Sequence, residues 1–220
     1  MSLDVLNTLM EQKIIAIVRG VESTKIVDLA NAMVKGGMIC IEVTFDQSSV
    51  EGTEETLASI RQLRQECPHV CVGAGTVMNV EQARRAIEAG AEYIISPNVD
   101  ENVVRETKRL GKISIPGALT ATEVAYAHAC GADIVKMFPA GILGPGYLKA
   151  IKAPLQHIPL TAVGGITVEN CAAFIKAGAV GVGVGGNLVS LHLINEGRFD
   201  EITAIAKAYV EALRGDDEDN

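Results

Sequence analysis

A chain of 220 residues, 48% hydrophobic and only 4% aromatic, has room for one domain whose core is Val, Ile, Leu and Ala. Its net charge of −8 argues against a nucleic-acid surface, which needs clustered cations. No apolar run reaches the length of a membrane span and no signal peptide opens the chain.

The predicted elements alternate. A leading helix at about 2–12 precedes a strand at about 14–18, and the chain then repeats helix and strand. Strands are expected at about 14–18, 39–44, 70–75, 93–96, 113–116, 133–137, 160–163 and 180–184. Helices are expected at about 23–35, 52–66, 79–89, 100–110, 120–130, 146–152, 167–177 and 200–213. Four helices end in a small residue, Gly and a small residue just before an apolar run, as in Ala89-Gly90-Ala91 and Ala177-Gly178-Ala179. The glycine supplies the left-handed conformation that stops a helix. Thr120 to Glu123 reads as a capping box, and Thr167 as another helix-starting hydroxyl. Helix–strand repetition implies parallel strands with right-handed crossovers. Eight units in so short a chain favour a closed (β/α)8 TIM barrel with an extra N-terminal helix capping its bottom, as one α/β domain over 1–220. The acidic end 215–220 reads as a solvated tail.

Cys40, Cys67, Cys71, Cys130 and Cys171 are odd in number and mostly lie in apolar runs, the pattern of buried thiols in a reducing cytoplasm. Cys67-Pro68-His69-Val70-Cys71 has metal-binding residue types but no second ligand pair at zinc spacing, so no metal is expected. The four histidines fall on helices or loops, away from strand ends.

Lys136 ends an apolar strand that Pro139 stops, which places it at the barrel's catalytic mouth. Enclosure there disfavours the ammonium and yields a neutral amine able to add to a ketone, unless the head group escapes to solvent. Glu42 interrupts another apolar strand and shares parity with Cys40 and Thr44, so it is expected to face the lumen. Beside an imine it would move protons; its alternative is a structural ion pair with Lys136. Arg19 ends the first strand, where a guanidinium suits a carboxylate or phosphate, or stands as an ordinary surface residue. Gly164-Gly165 and Gly185-Gly186 follow the seventh and eighth strands, the recurrent phosphate site of this fold. Their bare N–H groups and a helix N-terminus would hold the dianion; tight turns alone are the alternative.

Taken together, Ile17-Val-Arg-Gly20, Glu42-Val-Thr44, Gly73-Ala-Gly-Thr76, Ser96-Pro97, Pro116-Gly117 with Thr120-Ala-Thr-Glu123, Lys136-Met-Phe-Pro-Ala140 and Val163-Gly-Gly-Ile166 resemble the 2-keto-3-deoxy-6-phosphogluconate (KDPG) / 4-hydroxy-2-oxoglutarate (KHG) aldolase family, in family order and over almost the whole chain. The resemblance implies metal-independent class I cleavage of a 2-keto acid to pyruvate and an aldehyde, without a cofactor. It implies Lys136 as Schiff-base residue and Glu42 as general acid/base. Thr76 would bind the pyruvyl carboxylate, Pro97 and Phe138 would line the pocket, and Gly164 and Gly165 would bind phosphate. It further implies a homotrimer. Thr44 joins the expected substrate contacts as part of the Glu-Val-Thr segment.

Two departures stand out. Many family members carry an Arg after Glu-Val-Thr, where this chain has Phe45-Asp46-Gln47. Asp46 would repel a carboxylate, so Arg19 is expected to take over that charge. A Ser often found after the eighth strand is replaced by Gly186 or Asn187. Rival readings are a phosphate-binding sugar-phosphate epimerase, which would form no imine, and a non-catalytic metabolite-binding barrel.

Overall fold

Short Val/Ile/Ala runs that are buried on both faces form parallel strands, because helices can then cover one face while the lumen fills from the other. The computed structural model describes residues 5–214; the acidic end 215–220 and the part of the helix expected at about 2–12 that precedes residue 5 lie outside the described residues. The order is α1 (Val5–Gln12), β1 (Ile14–Val18), α2 (Ser23–Lys35), β2 (Cys40–Thr44), α3 (Val50–Glu66), β3 (Cys71–Gly75) and α4 (Val80–Ala89). It continues β4 (Tyr93–Ile95), α5 (Glu101–Arg109), β5 (Ile113–Ile115), β6 (Gly117–Ala118), α6 (Ala121–Ala129) and β7 (Val135–Met137). It ends α7 (Ala140–Lys152), β8 (Leu160–Val163), α8 (Cys171–Lys176), β9 (Gly181–Val184), α9 (Leu191–Asn195) and α10 (Phe199–Arg214).

All strand pairs are parallel, in the order β5-β4-β3-β2-β1-β9-β8-β7-β6. β5 is the strand expected at 113–116, and β6 continues it beyond those bounds. Pro116 separates them, having no N–H for a ladder. β5 pairs with β4 and β6 with β7. The N–H groups of Asp133 and Lys136 donate to the carbonyls of Ser114 and Pro116 at 3.0 and 2.9 Å. The ring is thereby closed into the eight-stranded barrel.

Strand parity divides the core. Ile14, Ala16, Val18, Ile41 and Val43 face the helices. Ile15, Cys40, Cys71, Tyr93, Ile95 and Ile115 pack together as a second cluster, with Leu9 of α1 closing the bottom. Cys40 and Cys71 are register neighbours whose thiols hydrogen-bond, and that bond and burial push the Cys40 thiol well up. All five cysteines are free and buried.

The capping box is present: Thr120 Oγ1 accepts from the Glu123 N–H at 3.3 Å, and the Glu123 carboxylate accepts from the Thr120 N–H at 2.8 Å. Two expectations need correction. Thr167 does not cap α8, which begins at Cys171; Asn170 instead accepts from the Thr167 N–H at 2.9 Å and donates to the Gly165 carbonyl at 2.9 Å, holding a turn. The helix expected from about 146 has an earlier first turn from Ala140, kinked at Gly144 (φ 76°) before Pro145. The short α9 was not expected.

Tyr93 is fully buried and its ring occupies the space that a Cβ on Gly73 would need. A Gly73→Ala variant should therefore lose about 1–3 kcal/mol in urea unfolding, the usual penalty of overpacking. Trimming the ring in Gly73→Ala/Tyr93→Leu should recover part of that loss; no loss in the single variant would contradict this packing.

Candidate functional site

Residues at the C-terminal ends of the strands surround a cavity of about 400 Å3. β1 brings Ile17 and Arg19, β2 brings Glu42, and the loops after β3 and β4 bring Thr76 and Pro97. Lys136 enters from β7 with Phe138 just after it. The opposite wall is Val163-Gly164-Gly165-Ile166, with Gly183, Gly185, Gly186 and Asn187.

Lys136 is only 7% exposed, with Nζ 5.0 Å from the centre of the Phe138 ring. Burial holds its pKa below the ordinary lysine range; Glu42 opposes that shift and the Arg19 charge adds to it. Glu42 is 2% exposed, and burial raises its pKa against the opposing pull of Lys136 and Arg19. Both groups are therefore moved toward their neutral forms. Each acts on the other as a Coulombic neighbour, and no hydrogen bond or ion pair joins them among the described residues. Glu42 lies over Gly75, two residues along β3 from its register partner Gly73, in the space a Cβ would fill. Glycine at 75 is thus the condition for a carboxylate at this height in the barrel.

Arg19 Nη2 donates to Thr76 Oγ1 at 3.0 Å. Thr76 has φ 55°, in the left-handed region that a β-branched residue avoids. Its carbonyl accepts from Gln47 Nε2 at 2.7 Å.

Asp46 does not face this cavity. It accepts from the Ser48 N–H and hydroxyl at 2.8 and 2.6 Å, and those bonds hold its pKa low. It lines a separate cavity of about 170 Å3 between β1, β2 and α3. Asp46 thus keeps its negative charge outside this cavity, where it is a Coulombic neighbour of Arg19. Thr44 is the one expected substrate contact that the structure places elsewhere. It shares parity with Glu42 but is the last residue of β2, where the chain leaves the sheet, and it lines that outer cavity. The Thr56 hydroxyl of α3 donates to its carbonyl at 3.1 Å, while its own buried Oγ1 has no partner among the described residues.

The glycine loops approach each other. Gly164 and Gly165 have φ 90° and 74°. Gly141 packs against them so closely that its Cβ would meet the Gly164 carbonyl at 2.6 Å. Asn187 Nδ2 donates to the Ile166 carbonyl at 2.8 Å and ties the two loops together, and the Tyr209 hydroxyl of α10 donates to the same carbonyl at 3.2 Å. Among the described residues, the Gly165 and Gly186 N–H groups find no backbone acceptor. The helices that follow these loops, α8 and α9, begin several residues farther along, at Cys171 and Leu191, whereas the first turn of α7 meets the loop directly, its Gly141 N–H donating to the Gly164 carbonyl at 2.7 Å.

Lining residues that were given no site role from the sequence are Ile17, Val163, Ile166, Gly183 and Asn187. Parity signals the first: Ile15 and Ile17 alternate with the helix-facing Ala16 and Val18. The Asn187 bridge has no local signal, since its partner is 21 residues away. Chemically, the arrangement offers a nucleophilic amine, an adjacent proton carrier, one guanidinium and unpaired backbone donors in one cavity.

The family model for KDPG and KHG aldolase matches residues 5–205. A 2-dehydro-3-deoxy-phosphogluconate aldolase of Treponema pallidum (strain Nichols) is 36% identical over 182 residues, 82% of this chain and 84% of its own. A 2-dehydro-3-deoxy-6-phosphogalactonate aldolase of Escherichia coli (strain K12) is 33% identical over 202 residues, 91% of this chain and 96% of its own. A solved structure of native KDPGal superposes with a TM-score of 0.82 at 34% identity, covering 93% of this chain and 96% of that one.

Desolvating two charges opposes folding, so the Lys136–Glu42 pair should not support the barrel. The Lys136→Met/Glu42→Gln double variant is expected to be as stable as the parent or up to about 4 kcal/mol more stable in denaturant unfolding. A loss of more than about 1 kcal/mol would assign the pair a structural role instead.

Proposed function

The chain belongs to the KDPG and KHG aldolase family, and from that membership we propose that it cleaves a 2-keto acid of that family reversibly to pyruvate and an aldehyde through a Schiff base on Lys136. The substrate is a 2-keto-3-deoxy-6-phospho sugar acid, 4-hydroxy-2-oxoglutarate, or both. The observation that carries this reading is the meeting of a desolvated Lys136, a desolvated Glu42 and Arg19 in one cavity with two glycine loops opposite.

The neutral Nζ of Lys136 adds to the C2 ketone, and loss of water leaves an iminium. Glu42, directly or through one water, takes the C4 hydroxyl proton as the C3–C4 bond breaks. The bonding pair moves into the iminium, giving an enamine, and the aldehyde departs. Protonation at C3 and addition of water release pyruvate and restore the amine. Arg19 and Thr76 hold the carboxylate, with Pro97 and Phe138 against the pyruvyl carbons. The N–H groups of Gly164, Gly165, Gly185 and Gly186 receive the phosphate, for which the free Gly165 and Gly186 donors give support. No metal or other cofactor takes part in these steps. A homotrimer and a cytoplasmic location complete the reading, the first from the family resemblance and the second from five free thiols. Among the described residues, no helix is long and apolar enough to cross a membrane.

Pyruvate release from the phosphorylated sugar acid, coupled to lactate dehydrogenase, tests the assignment. Glu42→Gln should lower kcat by roughly 100-fold or more, and Lys136→Met should abolish turnover. Ordinary turnover in Lys136→Met would overturn it.

A pH profile tests the electrostatics. Imine formation with pyruvate follows the neutral fraction of Lys136, so its rising limb should lie below the ordinary lysine range. Arg19→Gln removes a neighbouring positive charge, raises the Lys136 pKa and should move the limb to higher pH. Glu42→Gln removes the negative neighbour and should move it to lower pH. Shifts in one direction for both variants would contradict the arrangement.

A further inference from the structure

The segment after β2 lacks a cation of its own, yet it reaches the cavity through a chain of hydrogen bonds. Gln47 Nε2 donates to the Thr76 carbonyl at 2.7 Å, and no backbone N–H competes for that carbonyl among the described residues. Gln47 Oε1 in turn accepts from Gln82 Nε2 at 3.0 Å. Gln82 Oε1 accepts from the Met78 N–H at 2.8 Å, and the Gln82 N–H donates to Asn79 Oδ1, the N-cap of α4, at 2.9 Å. Two glutamines therefore grip the 76–78 turn at both ends, anchored on the start of a helix. The turn needs that grip, because Thr76 sits at φ 55°, where a side chain branched at Cβ is strained. Thr76 then presents Oγ1 to Arg19 at 3.0 Å. A guanidinium has five donors, so one bond to Thr76 orients it and leaves others for an anion.

We propose that Gln47 is a positioning residue for substrate carboxylate recognition: it holds Thr76 in its left-handed conformation, and Thr76 in turn holds Arg19 at the mouth of the cavity. The proposal rests on the carboxylate-binding role given to Arg19 above. Gln47 is exposed and touches no reacting atom, so replacing it removes a hydrogen bond without opening the core. Its effect falls on binding more than on bond cleavage, since Lys136 and Glu42 stand on other supports.

A double-mutant cycle on Gln47→Met and Arg19→Ala tests it, read as the pyruvate concentration that half-saturates imine trapping and as the trapping rate at saturation. Met keeps the length of Gln and removes the donor. Gln47→Met should raise the half-saturating concentration about tenfold, the size of one lost hydrogen bond, with the saturated rate within about twofold. In the Arg19→Ala background the same substitution should change nothing further, because the group it positions is gone. An additive effect, or no effect of Gln47→Met where Arg19→Ala has one, would overturn the positioning role. No effect of Arg19→Ala itself would overturn the carboxylate role of Arg19, and the inference with it.

Discussion

The removal of water from two opposite charges at the top of the barrel lumen governs this structure. Lys136 and Glu42 occupy positions where the surrounding strands are apolar on both faces, and burial moves each toward its neutral form. Such a pair contributes little to folding, because desolvation offsets the attraction. Its value is chemical: lowering the amine's pKa favours the neutral form that attacks a ketone, and raising the carboxyl's pKa makes it a better acceptor of a proton. Arg19 acts on the two in opposite senses, favouring the neutral amine and the charged carboxylate.

The lumen below is arranged to leave room for that pair. Tyr93 fills the volume over Gly73, and Glu42 fills the volume over Gly75, so two glycines on β3 admit two large side chains on neighbouring strands. The lower lumen is filled by buried side chains around Cys40, Cys71 and Ile115. Above it the side chains give way to backbone: the loops after β8 and β9 are tied together by Asn187 and present glycine where a Cβ would narrow the cavity. Charge recognition is thus divided, with a guanidinium on the β1 side and N–H groups on the far wall.

Much of this was legible in the sequence, for identifiable reasons. The strand after each small-Gly-small signal follows from local conformational preference, and four glycines, Gly37, Gly90, Gly131 and Gly178, take positive φ at those helix ends. Lys136 and Glu42 stood out because a charge inside an apolar strand is improbable without a role. What escaped depends on contacts distant in sequence or on the end of a strand. Parity carried Glu42 into the lumen but failed at Thr44, the last residue of β2, where α3 captures the chain. Thr167 has the chemistry of a helix cap, but residues 167–170 form a turn held by Asn170, and α8 begins only at Cys171. Asp46 comes shortly after the Glu-Val-Thr segment, yet its carboxylate turns to the outer cavity, where Ser48 donates to it.

The account stands on Lys136 forming a covalent imine. Borohydride reduction of the folded protein with saturating pyruvate, followed by peptide mass mapping, tests that directly. The expected result is one reduced pyruvyl adduct, on the peptide that contains Lys136, lost in Lys136→Met. Absence of any adduct, or modification spread evenly over the exposed lysines with Lys136 unmodified, would contradict it.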